Sequence, residues 1–306
     1  MKNFDIIGIG ESIVDIIETK KAPIKNPGGA PLNVIATCSK LGLSTAYISS
    51  VGDDDEGKII KDCFKNFDID NSFLETNPDI STCTAIIKLD KRKNRSFVFK
   101  KNNGSFLTLS ERKPNIECKC FVCGTLCMFN ETSRKQVEDY ILYCKNNNIL
   151  IAFDANYRET EMPLFMYINI VKHILKYVDI LKISIEEARI LSRLEDINDI
   201  KNYFMENFDI EVLLSLGSKG AIAINKKNSF YRKAKRVNPV DTTGAGDILF
   251  GTYLSSLIVN GYSKANKNVT PSIYIDSLKK AVRYATESTK RYGAASSIIA
   301  IKKTLI

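Results

Sequence analysis

Residues 241–247 read Asp-Thr-Thr-Gly-Ala-Gly-Asp and lead into an apolar stretch of helical length from Ile248. Two glycines around an alanine let the backbone approach a ligand closely and aim successive N–H groups in one direction. A helix start adds partial positive charge there. Such a turn is an anion hole, suited to charge that develops on a phosphoryl group in transfer. Asp247 lies on the same turn, where it could accept a proton from an attacking hydroxyl. An isolated glycine-rich helix start with a capping aspartate would look the same, so the segment gains meaning only from partners elsewhere in the chain.

Other candidate motifs carry less. Residues 52–59 (GDDDEGKI) approach the phosphate-cradling G-x-x-x-x-G-K-[ST] pattern, but Ile59 cannot supply a metal-binding hydroxyl and three aspartates would repel phosphate. The segment reads as a turn whose acids favour the start of the next helix. Gly8-Ile-Gly10 lacks a third glycine, since Ile13 stands in its place. Cys118, Cys120, Cys123 and Cys127 do not follow the paired C-x2-C spacing of structural zinc. A strand through them sends Cys120 and Cys123 to opposite faces, so they read as buried small hydrophobes. His173 is the one histidine, which excludes Ser-His-Asp and Cys-His catalysis and multi-histidine metal sites within one chain.

The elements that must hold these residues alternate. Strands are expected over 4–9, 46–51, 120–123, 149–153, 180–183 and 212–215. Helices are expected over 32–41, 56–67, 131–147, 164–177, 245–260 and 273–292. Alternation of this kind implies an α/β fold, a mostly parallel sheet covered by helices on both faces. Residues 12–24 and 82–101 break the rhythm with strand patterns and no helix between them, the second as a hairpin about a turn at 90–94. They predict a small antiparallel sheet inserted at about 12–32 and 82–104 in a single domain. Near the carboxyl ends of the parallel strands it would form a lid.

The 306 residues are 44% apolar and 26% charged, which rules out wholesale disorder. No apolar run reaches the ~20 residues of a membrane span. Asp5 interrupts the opening stretch, so no export signal is expected, and eight cysteines without one read as reduced thiols of a cytoplasmic protein. Lys and Arg exceed Asp and Glu by 44 to 35, a charge of +9, concentrated at 91–101 and 226–236. Both runs border short strands and read as solvated hairpins, not as a nucleic-acid surface.

The segment 241–247, together with Gly28-Gly-Ala-Pro-Leu-Asn33-Val and Leu41-Gly42 downstream, resembles the two signatures of pfkB/ribokinase-type carbohydrate kinases. The resemblance spans nearly the whole chain in the family's order. Gly10-Glu11 with Asp15 looks like the opening sugar-binding strand, and Val51-Gly-Asp-Asp with Gly57 like the next loop. Asp154-Ala-Asn156-Tyr-Arg158 resembles the D-P-N-x-R element. Lys182-Ile-Ser-Ile-Glu-Glu187 resembles K-x-S-x-E-E, and Leu216-Gly-Ser-Lys-Gly220 the nucleotide-side L-G-x-x-G turn. GGAPxNV combined with DTTGAGD is most similar to fructokinases.

The resemblance implies a ribokinase-like fold and ATP-dependent phosphorylation of a sugar hydroxyl. It makes Asp247 the general base and the backbone of Gly244, Ala245 and Gly246 the anion hole. It gives Asp15, Gly28, Gly29, Asn33 and Lys101 to the sugar, and Lys182, Glu187, Ser215, Gly217 and Gly220 to the nucleotide side, with Glu187 orienting Mg²⁺ through water. A monovalent cation such as K⁺ would be held by Asp241, Thr243, Ser288, Arg291, Gly293 and Ser297. Two copies would pair through the lid sheet; neither nucleic acid nor membrane is implied as a partner. The pattern Y-R-x-P-G-A-D, usual after the hairpin, is replaced by residues 100–106 (KKNNGSF), with Lys101 for the arginine and Phe106 for the aspartate. Thr252 also replaces a small residue. The sugar therefore stays open among fructose, 2-keto-3-deoxygluconate and ribose-like acceptors. A sugar-binding regulator without catalysis is the reading from another class.

Overall fold

A computed structural model describes residues 2–18, 22–89, 95–110, 114–267 and 269–301. The runs expected as core strands do form strands, because their side chains are buried on both faces. These are β1 (Phe4–Ile9), β4 (Thr45–Gly52), β8 (Cys118–Gly124), β9 (Leu150–Asp154), β10 (Ile180–Ser184) and β11 (Glu211–Ser215). With β5 (Leu74–Asn77), β12 (Ala221–Ile224) and β13 (Ser229–Arg232) they build one sheet of nine strands, ordered β13-β12-β11-β10-β9-β8-β1-β4-β5. Pairing is parallel from β5 to β11 and antiparallel only at the β11-β12-β13 edge.

Helices α1 (Ala30–Lys40), α2 (Asp55–Asn66), α7 (Ala245–Val259) and α8 (Pro271–Ser288) pack on one face, and α3 (Glu131–Asn146), α4 (Leu164–Ile174), α5 (Ile185–Ser192) and α6 (Ile197–Asn207) on the other. Cys120 joins the first of these two cores and Cys123 the second, as strand alternation requires. Burial pushes the thiols of Cys38, Cys63, Cys83 and Cys118 up to about 12. Among the described residues no group of three or more His, Cys, Asp or Glu is arranged to hold a metal ion.

The small sheet consists of β2 (Ile13–Ile17), β3 (Ile24–Gly28), β6 (Cys83–Leu89) and β7 (Arg95–Lys100), ordered β3-β2-β6-β7. It is not wholly antiparallel as expected, since β2 and β6 run parallel. Two segments so far apart in sequence can meet in either sense, because no tight turn joins them. The turn expected at 90–94 lies outside the described residues.

Some boundaries differ from expectation. The helix expected over 273–292 stops at Ser288, and α9 (Ala294–Ile299) follows from Gly293 at φ 75°. Helices α5 and α6 were not expected; α5 has only eight residues, whereas α6 is as long as α1 and α4 and is capped by Asp196. Asp54 caps α2, its Oδ1 accepting the Gly57 N–H at 2.7 Å, so the aspartate-rich turn is a helix start. Helix α7 is apolar all round because it is an interior helix between α1 and α8, buried from Ile248 to Ile258. Among the described residues no helix is long and apolar enough to cross a membrane.

Candidate active site

Two helix N-termini meet beyond the carboxyl ends of the parallel strands, where open α/β sheets bind ligands. Gly29 is the cap of α1 at φ 112°, and a Cβ there would lie 2.3 Å from the Glu11 carbonyl oxygen, so only glycine fits. Gly244 caps α7 at φ 75°, where a Cβ would lie 2.4 Å from that of Ala294. These contacts fix where the first turns point. Asn33, in the first turn of α1, donates its Nδ2 hydrogen to Asp247 Oδ2 at 2.8 Å across 214 residues of sequence.

Asp247 is held above the usual carboxylate range by withdrawal from solvent, against the opposing pull of Lys182, the Asn33 hydrogen bond and Arg158. Lys182 is buried on β10 and pairs with Asp154, with Nζ 2.9 and 3.2 Å from its two carboxylate oxygens. A Cβ on Gly246 would sit 3.3 Å from this Nζ, so the lysine lies against the glycine turn. Burial works to lower Lys182, but Asp154, Glu187 and Asp247 outweigh it and hold the ammonium charged. Burial and the fields of Asp247 and Glu187 raise Asp154 in turn, against Lys182.

Glu187 is fixed by a capping box. Ser184 Oγ accepts its N–H, and its carboxylate accepts the N–H groups of Ser184 (2.8 Å) and Tyr157 (2.6 Å). Each oxygen keeps a lone pair for a water, and three carboxylates around one lysine leave an excess of negative charge. That excess fits a divalent cation held through water rather than by direct ligation.

Ser215, Gly217 and Gly220 line a cavity of about 730 Å³ with Thr242, Ala245 and Gly246. Leu249, Val282 and Ala285 supply an apolar wall, while Lys233, Lys235 and Arg236 stand at its margin. The second basic run of the sequence thus borders this cavity. The residues expected to hold a monovalent cation lie close together and bond to one another. Asp241 accepts the N–H groups of Thr243 and Gly293, both at 2.8 Å, and the Ser297 hydroxyl lies within donating distance of two carbonyls, those of Ser288 (3.0 Å) and Gly293 (2.9 Å), for its one proton. The Arg291 N–H also donates to the Ser288 carbonyl at 3.1 Å.

On the sugar side, Asp15 on β2 lies against Gly28, where a Cβ would be 2.9 Å from its Oδ2. Lys101 is already engaged, its Nζ 2.8 Å from Glu161 Oε2. Sequence reasoning missed Glu161, which no motif marks, and gave Glu11 no separate role. Glu11 is fully buried, accepts the Ala30 N–H at the start of α1 (3.1 Å) and the Cys127 thiol (3.1 Å), and is pushed up to about 7 by burial, against those hydrogen bonds. Its position directly after Gly10 was the available signal.

The sequence profile of the pfkB family of carbohydrate kinases matches residues 2–301. Fructokinase-2 of Oryza sativa subsp. japonica is 30% identical over 273 residues, 83% of this chain and 79% of that protein. Aminoimidazole riboside kinase of Salmonella typhimurium is 27% identical over 258 residues, 81% and 79% of the two chains. Among solved structures, fructokinase from Vibrio cholerae with bound fructose, ADP and calcium superposes with a TM-score of 0.83, at 26% identity over 96% of each chain.

Proposed function

The chain belongs to the pfkB family of carbohydrate kinases, and from that premise we propose that it transfers the γ-phosphoryl group of ATP to a hydroxyl of fructose. The observation that carries this reading is the 2.8 Å hydrogen bond from Asn33 to Asp247, which joins the two signature turns at one point. Asp247 takes the proton of the attacking hydroxyl, and Asn33 holds the sugar and the base in common. The N–H groups of Gly244 and Gly246 and the Lys182 ammonium take up charge on the moving phosphoryl group, joined by that of Ala245 once it leaves the Thr242 carbonyl, to which it donates at 3.2 Å. Asp15 and the backbone at Gly28 and Gly29 present acceptors and donors to a polyol. The nucleotide occupies the cavity lined by Ser215, Gly217 and Gly220, its base against the apolar wall.

Glu187 and Asp154 would hold Mg²⁺ through water, which would neutralise phosphate charge. Asp241, Thr243, Ser288, Arg291, Gly293 and Ser297 would hold K⁺ behind the anion hole. The small sheet acts as a lid that excludes water, and Ile24 and Val98, half exposed on it, suit pairing with a second copy.

Fructose as acceptor is supported by GGAP with DTTGAGD and by similarity to fructokinases of plants and Vibrio. Similarity to aminoimidazole riboside kinase supports a second reading, a furanosyl acceptor with a ring base. ATP consumption measured with fructose, ribose, aminoimidazole riboside and 2-keto-3-deoxygluconate decides. Fructose is expected to have the highest kcat/KM; consumption with no sugar of the panel would overturn the assignment.

A further inference from the structure

Lys101 follows the last residue of β7, at the end of the small sheet, and is the cation that the family resemblance gives to the sugar. Its side chain is 20% exposed and that of Glu161 10%, so the pair is largely shielded from water. The Nζ lies 5.0 Å from the Phe106 ring centre and 4.9 Å from that of Phe129, an aromatic seat that holds the cation in place. Glu161 is itself positioned by a turn in which its N–H and that of Met162 donate to the Arg158 carbonyl at 2.9 and 3.0 Å. The charge of Arg158 adds to that of Lys182 in favouring the Asp247 anion. The Lys101–Glu161 bridge therefore ties the small sheet to the loop that follows Asp154, the partner of Lys182 at the end of β9.

We propose that Glu161 is a specificity-determining positioning residue that occupies Lys101 and so restricts the acceptor to neutral sugars. A carboxylate on the substrate would meet a cation already neutralised and a second carboxylate of like charge beside it. A neutral polyol meets neither cost. The inference rests on the reading of this site as a sugar kinase site, and it identifies which acceptors are turned away. Phe106 is part of the arrangement, because it forms one face of the aromatic seat where an aspartate would compete with Glu161 for the lysine.

The test compares kcat/KM for fructose and 2-keto-3-deoxygluconate in wild type, Glu161→Gln, Glu161→Asp and the double variant Lys101→Met/Glu161→Gln, each checked for folding by thermal melting. Glu161→Gln keeps the shape and frees the charge. It is expected to raise relative use of the keto acid by about tenfold, the scale of one charge-assisted hydrogen bond. Glu161→Asp is expected to keep the wild-type ratio, and the double variant to lose the gain. A folded Glu161→Gln protein with an unchanged ratio, or a gain that survives in the double variant, overturns the inference while fructose preference stands. Wild-type preference for the keto acid overturns the fructose reading and this inference together. Should Glu161→Gln fail to fold, Glu161→Ala carries the same expectation in the same assays.

Discussion

A carboxylate that accepts a proton from a sugar hydroxyl must be ionised before the encounter and basic enough to gain from it. As the proposed base, Asp247 would meet both needs through opposed neighbours: withdrawal from water raises its pKa, and Lys182, Asn33 and Arg158 keep its anion accessible. Replacing it by asparagine removes the base and keeps the shape. Turnover is expected to fall by roughly 10²-fold or more, with fructose binding retained in calorimetry. A folded Asp247→Asn protein at near-normal turnover would remove Asp247 from this role. Asn33 donates to the charged form of Asp247, so Asn33→Ala raises the Asp247 pKa further. Because the active form is the deprotonated one, the acidic limb of the kcat/KM profile is expected to move to higher pH. A limb that stays put while KM rises would restrict Asn33 to binding sugar.

At the scale of elements, the position of α7 decides the proposed chemistry, because its first turn carries the glycines proposed as the anion hole. Its middle is tied to the sheet, since Tyr253 donates to Glu211 on β11 at 2.5 Å. Burial raises Glu211 to about 8, against the Tyr253 hydrogen bond, from an ordinary value near 4.5. The folded protein thus holds the protonated carboxyl more tightly than the unfolded chain does. The stability this contributes is complete below the unfolded pKa and is lost as pH rises through the folded one. Glu211→Gln keeps a partner for Tyr253 and removes the titration. Denaturant melts should show the wild type losing roughly 1–3 kcal/mol relative to this variant between pH 5 and pH 8. Equal slopes against pH in the two proteins would place the Glu211 titration elsewhere.

The whole molecule separates its chemistry from its anchorage along the strands. The groups proposed to react gather past the carboxyl ends, while Asp179, just before β10, gathers contacts at the amino ends. It is buried, accepts the Ile151 N–H at 2.9 Å, and pairs with Lys264 at 2.7 Å and Lys267 at 2.6 Å in the α7–α8 connection. Asp179→Ala strands that N–H and leaves two lysines without their partner. A loss of about 2–4 kcal/mol is expected in urea melts, with KM for fructose nearly unchanged because the site lies at the other end of the sheet. A large KM change at full stability would contradict this division.

The amino-acid sequence by itself determined the alternating strands and helices, because apolar runs of strand length and helical periodicity are local properties. It also determined the family, because the two glycine signatures are constrained by backbone geometry, as the contacts of Gly29 and Gly244 make plain. The acidic helix start at Asp54 and the opposed faces of Cys120 and Cys123 were legible for the same local reasons. Helix α5 was not, since eight residues are too few to register a period; α6 was passed over although its cap at Asp196 and its buried Ile200 and Phe204 are local signals. The partners of isolated charges were hidden as well. Nothing near Lys101 in sequence announces Glu161, and nothing near Glu11 announces Cys127. Only the fold brings them within hydrogen-bonding distance. A charge on a chain has a type; what it can do depends on which opposite charge and how much water the tertiary structure leaves beside it.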